Sequence, residues 1–306
     1  MSGENYADSW IDVKGEGYTI EDNEGNHSLL DGIQLHYVEK AKVGGCENKI
    51  IHDKCAGLGK GGKCVNDSSK VCEGSKKNII NVSTDKEFLA ALKDVSPGDT
   101  IELADGKYHN KFIANISGTE GKPITLTGSK KAVVSGYNYG FWLQANYWIV
   151  KVVDSNKGIM LDGANHNILE DLEVHDIKQE GIHFRLNSAD NILQKSYIHD
   201  TGLGSPGFGE GVYIGSAVSN WEGGKPDKSD RNQVLNNRIG PNVAAEEIDI
   251  KEGSCCGIIK NNVFDGTGMS GENYADSWID VKGENYTIED NEGNHSLLDG
   301  IQVRHT

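Results

Sequence analysis

The sequence predicts an all-β chain wound as a parallel β-solenoid, and three observations carry that reading. One six-residue pattern returns seven times between residues 139 and 304, as YGFWLQ, KGIMLD, EGIHFR, EGVYIG, EEIDIK, SWIDVK and DGIQVR, starting at Tyr139, Lys157, Glu180, Glu210, Glu246, Ser277 and Asp299. In each copy the third and fifth residues are apolar, as with Ile182 and Phe184 or Ile248 and Ile250, which is the period-2 alternation of a strand with one buried face. The third positions are spaced by 18, 23, 30, 36, 31 and 22 residues, and between them lie asparagine-led strands such as NILEDLEV from Asn167, NILQKSYI from Asn191 and NQVLNNRI from Asn232. Two or three short strands per interval, separated by Gly, Asn and Asp turns, make one solenoid coil. An antiparallel sandwich would need hairpins and would not bring the motif back in phase.

The other elements follow in chain order. Residues 1–34 recur at 269–302 with one change, Gly17 to Asn285. Residues 1–77 therefore read as the cysteine-rich tail of a preceding duplicated module, built of the same coils, and residues 78–306 as the β-solenoid domain. The frame is expected to start inside one module and end inside the next. After Ser83, the stretch TDKEFLAALKDV has apolar residues at helical spacing, so a short helix near residues 84–94, capped by Ser83 or Thr84, is expected over the open end of the solenoid. Cys46, Cys55, Cys64 and Cys72 suit one or two local disulfides, with Cys255 and Cys256 adjacent further on, and a secreted, extracellular protein is the expectation.

Composition narrows the function. Thirty basic against 46 acidic side chains give 30 − 46 = −16, which argues against nucleic acid or an anionic membrane as partner. No apolar run approaches the roughly 18 residues of a membrane span. Glycine supplies 39 residues and proline 5, which suits tight corners and excludes proline-rich disorder. We expect a monomer.

Stacked in register, the outward positions form three columns about 4.8 Å apart from coil to coil. The first reads Glu180, Glu210, Glu246, Ser277, Asp299; the middle His183, Tyr213, Asp249, Asp280, Gln302; the last Arg185, Gly215, Lys251, Lys282, Arg304. Like charges this close repel, so Glu210, Glu246, Asp249 and Asp280 are candidate ligands of a hard cation such as calcium. Lys251 beside Lys282 is expected to lower the pKa of each, making a neutral amine available as a base. Such a base can take the C5 proton of a uronic acid while a cation stabilises the enolate-like charge, which is β-elimination.

The stretch NVSTDKEFLAALKDVSPGDTIELADGKYHNKFIANISGTEGKPITLTG, from Asn81, resembles the start of secreted right-handed parallel β-helix proteins of the pectin-lyase-like superfamily. The strand EEIDIK at 246–251 is similar to the acid, apolar, polar, apolar, lysine strand of the alginate lyase and chondroitinase B family of polysaccharide lyases. The resemblance implies a right-handed β-helix acting on an acidic polysaccharide such as pectate or alginate, with Glu246 as a calcium ligand and Lys251 as the base. The family's arginine downstream of that lysine has no match in GENYADSW at 271–278, which leaves Lys282 or Arg185 to stabilise charge.

Other readings of the same residues stay open. Alternating Asp and Lys could be a cross-strand salt-bridge ladder. His183 is a further catalytic candidate, and Tyr213, Trp221 and Arg304 are candidates for holding sugar. Glu210 with Asp249 would suit an inverting glycoside hydrolase if about 6.5 to 9.5 Å apart. A non-catalytic carbohydrate-binding or adhesive helix is the third class. The loop at 219–232 is placed as a wall of the cleft, and an outward Lys251 is expected to be removable with little loss of stability.

Overall fold

The structure, a computed structural model, describes residues 9–13, 19–21, 23–27, 32–35, 49–51, 54–56, 65–67, 78–136, 139–151, 154–155 and 158–304. They fall in two compact units, Met1–Lys76 and Lys77–Thr306.

In the second unit each coil gives one short strand to each of three parallel sheets. A nine-stranded sheet runs from Ile79–Val82 to Thr287–Glu289, an eight-stranded sheet from Gly106–His109 to Glu292–Asn294, and a second eight-stranded sheet from Ile113–Ala114 to Ile301–Val303. The seven repeats of the six-residue pattern all lie in this last sheet, in the predicted register: Ile182 pairs Val212, Val212 pairs Ile248, Ile248 pairs Ile279 and Ile279 pairs Ile301. Its first strand, Ile113–Ala114, escaped the pattern because it is only two residues long. This is a parallel β-helix, and the apolar third and fifth positions fill its interior: Ile182, Phe184, Val212, Ile214, Ile248 and Ile250 are fully buried.

Two features of the sequence acquire physical reasons. The glycine before many of these strands is needed because a Cβ on Gly181 would lie 2.7 Å from the Gly211 carbonyl oxygen, and one on Gly211 would lie 2.7 Å from that of Glu247. The leading asparagines form buried ladders. Asn191 donates its side-chain amide to Asn232 Oδ1 at 3.0 Å, and Asn167 donates to Asn191 Oδ1 at 2.9 Å. A second ladder runs through Asn237, Asn262 and Asn291. Each buried amide satisfies backbone groups that the tight corners leave unpaired.

The helix is Asp85–Asp94 with Thr84 as N-cap, and Glu87 closes a capping box. Phe88, Ala91 and Leu92 are buried, and the Phe88 ring stands 4.4 Å from that of Phe112 and 5.9 Å from that of Tyr108. The helix therefore covers the first coils of the core.

The first unit repeats the same geometry on a small scale. Ile11–Val13, Ile33–Leu35 and Val65–Asp67 form a parallel sheet, Thr19–Glu21 pairs Lys49–Ile51, and Glu24–Asn26 pairs Lys54–Ala56. Its buried cluster is Val13, Ile33 and Leu35. The Cys255 and Cys256 sulfurs are bonded to each other. The disulfides expected among Cys46, Cys55, Cys64 and Cys72 involve side chains outside the described residues.

Candidate active site

The outer face of the third sheet carries the columns read from the sequence. His183, Tyr213, Asp249, Asp280 and Gln302 are successive register partners, so the middle column lies rung over rung. These outward positions are nevertheless buried. Asp249 is 2% exposed, Asp280 1%, Glu246 5%, Glu210 6% and His183 6%. Turns at both strand ends pack on one another. Before the strands, the turns Pro206–Phe208 and Glu272–Tyr274 meet, with the Asn273 side chain donating to the Gly207 carbonyl at 3.0 Å. After the strands, Trp221 closes over Gly253 and donates from Nε1 to the Ser216 carbonyl at 2.9 Å.

Asp249 is the hub. One of its oxygens pairs with Lys251 Nζ, and the other lies 3.3 Å from Lys282 Nζ, which also donates to Asp280 at 2.5 Å. Asp280 Oδ1 has no hydrogen bond but stands 3.3 Å from Arg304 Nε. Alternating carboxylates and cations thus run across three strands. The expected lowering of the lysine pKa is overturned for Lys282: burial pulls its ammonium down, but Asp249 and Asp280 outweigh burial and hold it above the ordinary lysine value. Its Nζ has carboxylate oxygens at 2.5 and 3.3 Å. The expectation that Lys251 is removable without loss is corrected for the same reason, since its side chain is 14% exposed and pairs with a carboxylate that is 2% exposed.

On the side away from the lysines, Glu210, Glu246 and Asp249 each bring an oxygen within 4.8 Å of the others, all three residues buried. Burial first, and the Asp249 carboxylate second, push both Glu210 and Glu246 up to about 8. A cluster of hard oxygen donors without enough positive charge of its own fits a divalent cation of the calcium type. Asp280 stands outside this triad, committed to Lys282 and Arg304.

The remaining candidates separate. Tyr213 lies between the two groups, with Lys251 Nζ 5.0 Å from its ring centre and His183 edge-on at 4.3 Å. Burial, then Asp249 and Glu210, hold its phenol protonated. His183 contacts Glu180 through Nδ1 at 3.1 Å and the Gly215 carbonyl through Nε2 at 2.9 Å, so both ring nitrogens face acceptors inside the wall. Arg185 is not brought to the lysines: it pairs with Asp162 at 2.6 Å, and Gly215 occupies the rung between it and Lys251. Trp221 lines a cavity of about 470 Å³ with Asn187, Lys225 and Lys228, beyond the strand ends and beside the Lys251 rung. Glu247 falls in the same acidic cluster by sequence but has no role assigned from spacing alone. It is fully buried with neither carboxylate oxygen hydrogen-bonded, and burial pushes its carboxyl well above the ordinary value. Its signal was the Glu-Glu doublet in the place where the preceding coils carry glycine.

The inverting-hydrolase geometry is also corrected. The Glu210 and Asp249 oxygens lie within 4.8 Å, closer than the roughly 6.5 to 9.5 Å that leaves room for a water.

No family model matches the chain. The solved structure of the alginate lyase from Paenibacillus sp. str. FPU-7 is 45% identical, with a TM-score of 0.68 over 71% of this chain and 76% of that one. The pectate lyase Pel9A, at 18% identity, superposes with a TM-score of 0.54 over 70% of this chain and 62% of that one, a likeness of fold. Among curated proteins, Pectate lyase L of Paenibacillus polymyxa (strain SC2) is 28% identical over 158 residues, 42% of this chain and 35% of that protein. The chain therefore spans about a third of that relative's length.

Proposed function

Because the chain belongs to the pectin-lyase-like superfamily of parallel β-helix polysaccharide lyases, we propose that it cleaves an acidic polysaccharide by β-elimination, with alginate the first substrate to test and pectate the second. The order follows the likeness: the alginate lyase is 45% identical over most of both chains, the curated pectate lyase 28% over a smaller part. One observation carries the reaction class: Lys251 and Lys282 stand on successive strands against the same buried aspartate, beside three carboxylates that converge.

Lys251 is the base. Its Nζ takes the C5 proton of the uronate, the C4–O bond breaks as the C4–C5 double bond forms, and the leaving oxygen takes a proton from the Tyr213 hydroxyl. Lys251 pairs with Asp249 in the free protein, so that ion pair must open before Nζ reaches the sugar. Lys282 and Arg304, already aligned by Asp280, face the negative charge that develops on the substrate carboxylate. Glu210, Glu246 and Asp249 would hold a calcium-type cation, which supplies positive charge for a polyanion that a chain of net charge −16 otherwise repels. The Trp221 cavity, with Lys225 and Lys228, offers a place for the next sugar. We place the protein outside the cell, where such polymers occur.

The test is a panel of alginate, polymannuronate, polyguluronate and polygalacturonate, with calcium or with chelator. The proposal expects an ultraviolet-absorbing unsaturated product that disappears on chelation. New reducing ends without that chromophore would make it a hydrolase, and bound but intact polymer would make it a binder.

A further inference from the structure

The sheet that carries the lysines and carboxylates continues on the far side of Tyr213, and its outer face changes character there. Trp142, Met160, His183 and Tyr213 are successive register partners. Where the later rungs set carboxylates against lysines, Trp142 brings a half-buried indole whose Nε1 donates to Asp162 Oδ2 at 2.8 Å. Arg185 grips the same carboxylate through Nε at 2.6 Å and Nη2 at 3.2 Å. The Asp162 side chain is 6% exposed, so this paired carboxylate fixes the planes of both groups and takes up the Arg185 charge. Tyr139 stands edge-on to the indole at 5.7 Å, and its ring centre lies 5.9 Å from the Arg185 guanidinium carbon. Lys111, an exposed residue, holds its Nζ 4.9 Å from the centre of the indole. Among the described residues it has no carboxylate partner.

We infer that Tyr139, Trp142 and Lys111 form a distal subsite for the uronate polymer whose bond is broken at Lys251, so that one chain lies along the helix over several coils and is cut within its length. The inference rests on the polysaccharide-lyase reading above. Two aromatic rings held at a fixed angle offer flat apolar surface to the C–H face of a sugar. The Lys111 ammonium beside them supplies a charge-assisted partner for the uronate carboxylate. That charge differs from those at the cleavage site, where Lys251 and Lys282 are each paired with an aspartate. Because Asp162 already holds the indole in place, little side-chain freedom is lost when sugar arrives.

Distance and continuity join the two places. Tyr213 lies three rungs from Trp142, about 14 Å along the helix, and the Asp249 strand that leads into Lys251 lies one rung further. A 1,4-linked uronate residue is close to one rung in length, so a few sugars span the interval. Gly215 occupies the rung between Arg185 and Lys251 and raises no side chain there. Leu186 and Asn187, directly after Arg185, line the Trp221 cavity, which continues this stretch towards the Lys251 rung. A grip this far from the reacting bond is the same before and during bond breaking. It therefore favours long chains through binding, and the chemical step is left to the lysine column.

The test separates binding from cleavage. An alginate trisaccharide and a decasaccharide are titrated calorimetrically into Lys251→Met with calcium, alone and carrying Trp142→Leu or Lys111→Gln, and KM for polymer is measured for the two substitutions in the otherwise wild-type chain. Expected is a decasaccharide bound more tightly than the trisaccharide, with that advantage reduced about tenfold by Trp142→Leu and about threefold by Lys111→Gln. The Lys111→Gln loss should shrink with added salt, and KM for polymer should rise in step in the active enzyme. Lys111 is exposed, so its replacement leaves the coil folded, and Trp142→Phe, which keeps a ring on the same rung, should recover most of the affinity. Decasaccharide binding untouched by both substitutions, or a trisaccharide weakened as much as the decasaccharide, overturns the inference. A decasaccharide held through Trp142 by a wild type that forms no unsaturated product supports the subsite and overturns the lyase reading.

Discussion

Replacing Glu210 by glutamine should stabilise the protein, and by an amount that depends on pH. The carboxyl stands at about 8 in the fold against 4.5 for the ordinary side chain, because it is buried beside Asp249 and Glu246. Between those values the folded chain holds a proton that the unfolded chain has lost, so stability is full below about pH 4.5 and falls as pH rises towards 8. At 1.36 kcal/mol per pH unit the loss is about 3 kcal/mol at pH 7 and about 5 kcal/mol above pH 8. Glutamine keeps the shape and cannot ionise. In chelator, urea midpoints of wild type and Glu210→Gln should coincide near about pH 4 and separate by about these amounts at higher pH. Calcium should close the gap by raising the wild type alone, and more at alkaline pH, since the cation takes the charge that burial penalises. A difference that is constant with pH, or a wild type that gains stability from pH 5 to 8, would refute the placement of Glu210 in a buried acidic cluster.

Lys251→Met should lower the rate of double-bond formation by about 10²- to 10⁴-fold, the usual effect of losing a general base, and cost about 3 kcal/mol in a urea melt by leaving Asp249 with Lys282 as its one lysine. Asn232→Ala removes an acceptor for Asn191 and a donor to the Ser188 and Ser229 carbonyls, all buried, and should cost about 2 to 4 kcal/mol without changing the rate per folded molecule. Phe88→Ala should cost about 3 to 5 kcal/mol in the same melt by emptying the contact with Phe112 and Tyr108.

Most of the fold was legible because its constraints are local and periodic. Alternation in EGIHFR and EEIDIK set the inward faces, and the return of that motif in phase set the register, so His183, Tyr213, Asp249 and Asp280 could be stacked from spacing alone. What spacing does not carry is the third dimension of the loops. The column is buried, and the lysines stand as partners of Asp249 and Asp280 rather than as mutually repelling neighbours. The same blindness applied to Arg185, whose partner Asp162 comes from the preceding coil, and to Glu247, a carboxylate standing where the pattern elsewhere has glycine. Asn ladders were visible as a habit of the sequence, but their role in pairing buried corner groups emerges only from the hydrogen bonds.

Whether Lys251 acts as a base within the Asp249–Asp280 column is reached directly by the initial rate at which the unsaturated uronate chromophore appears from alginate, for wild type and for Lys251→Met at equal folded concentration with calcium present. A rapid rise is expected for the wild type and almost none for the variant, whose polymer binding persists. A variant that forms the chromophore at the wild-type rate would contradict it.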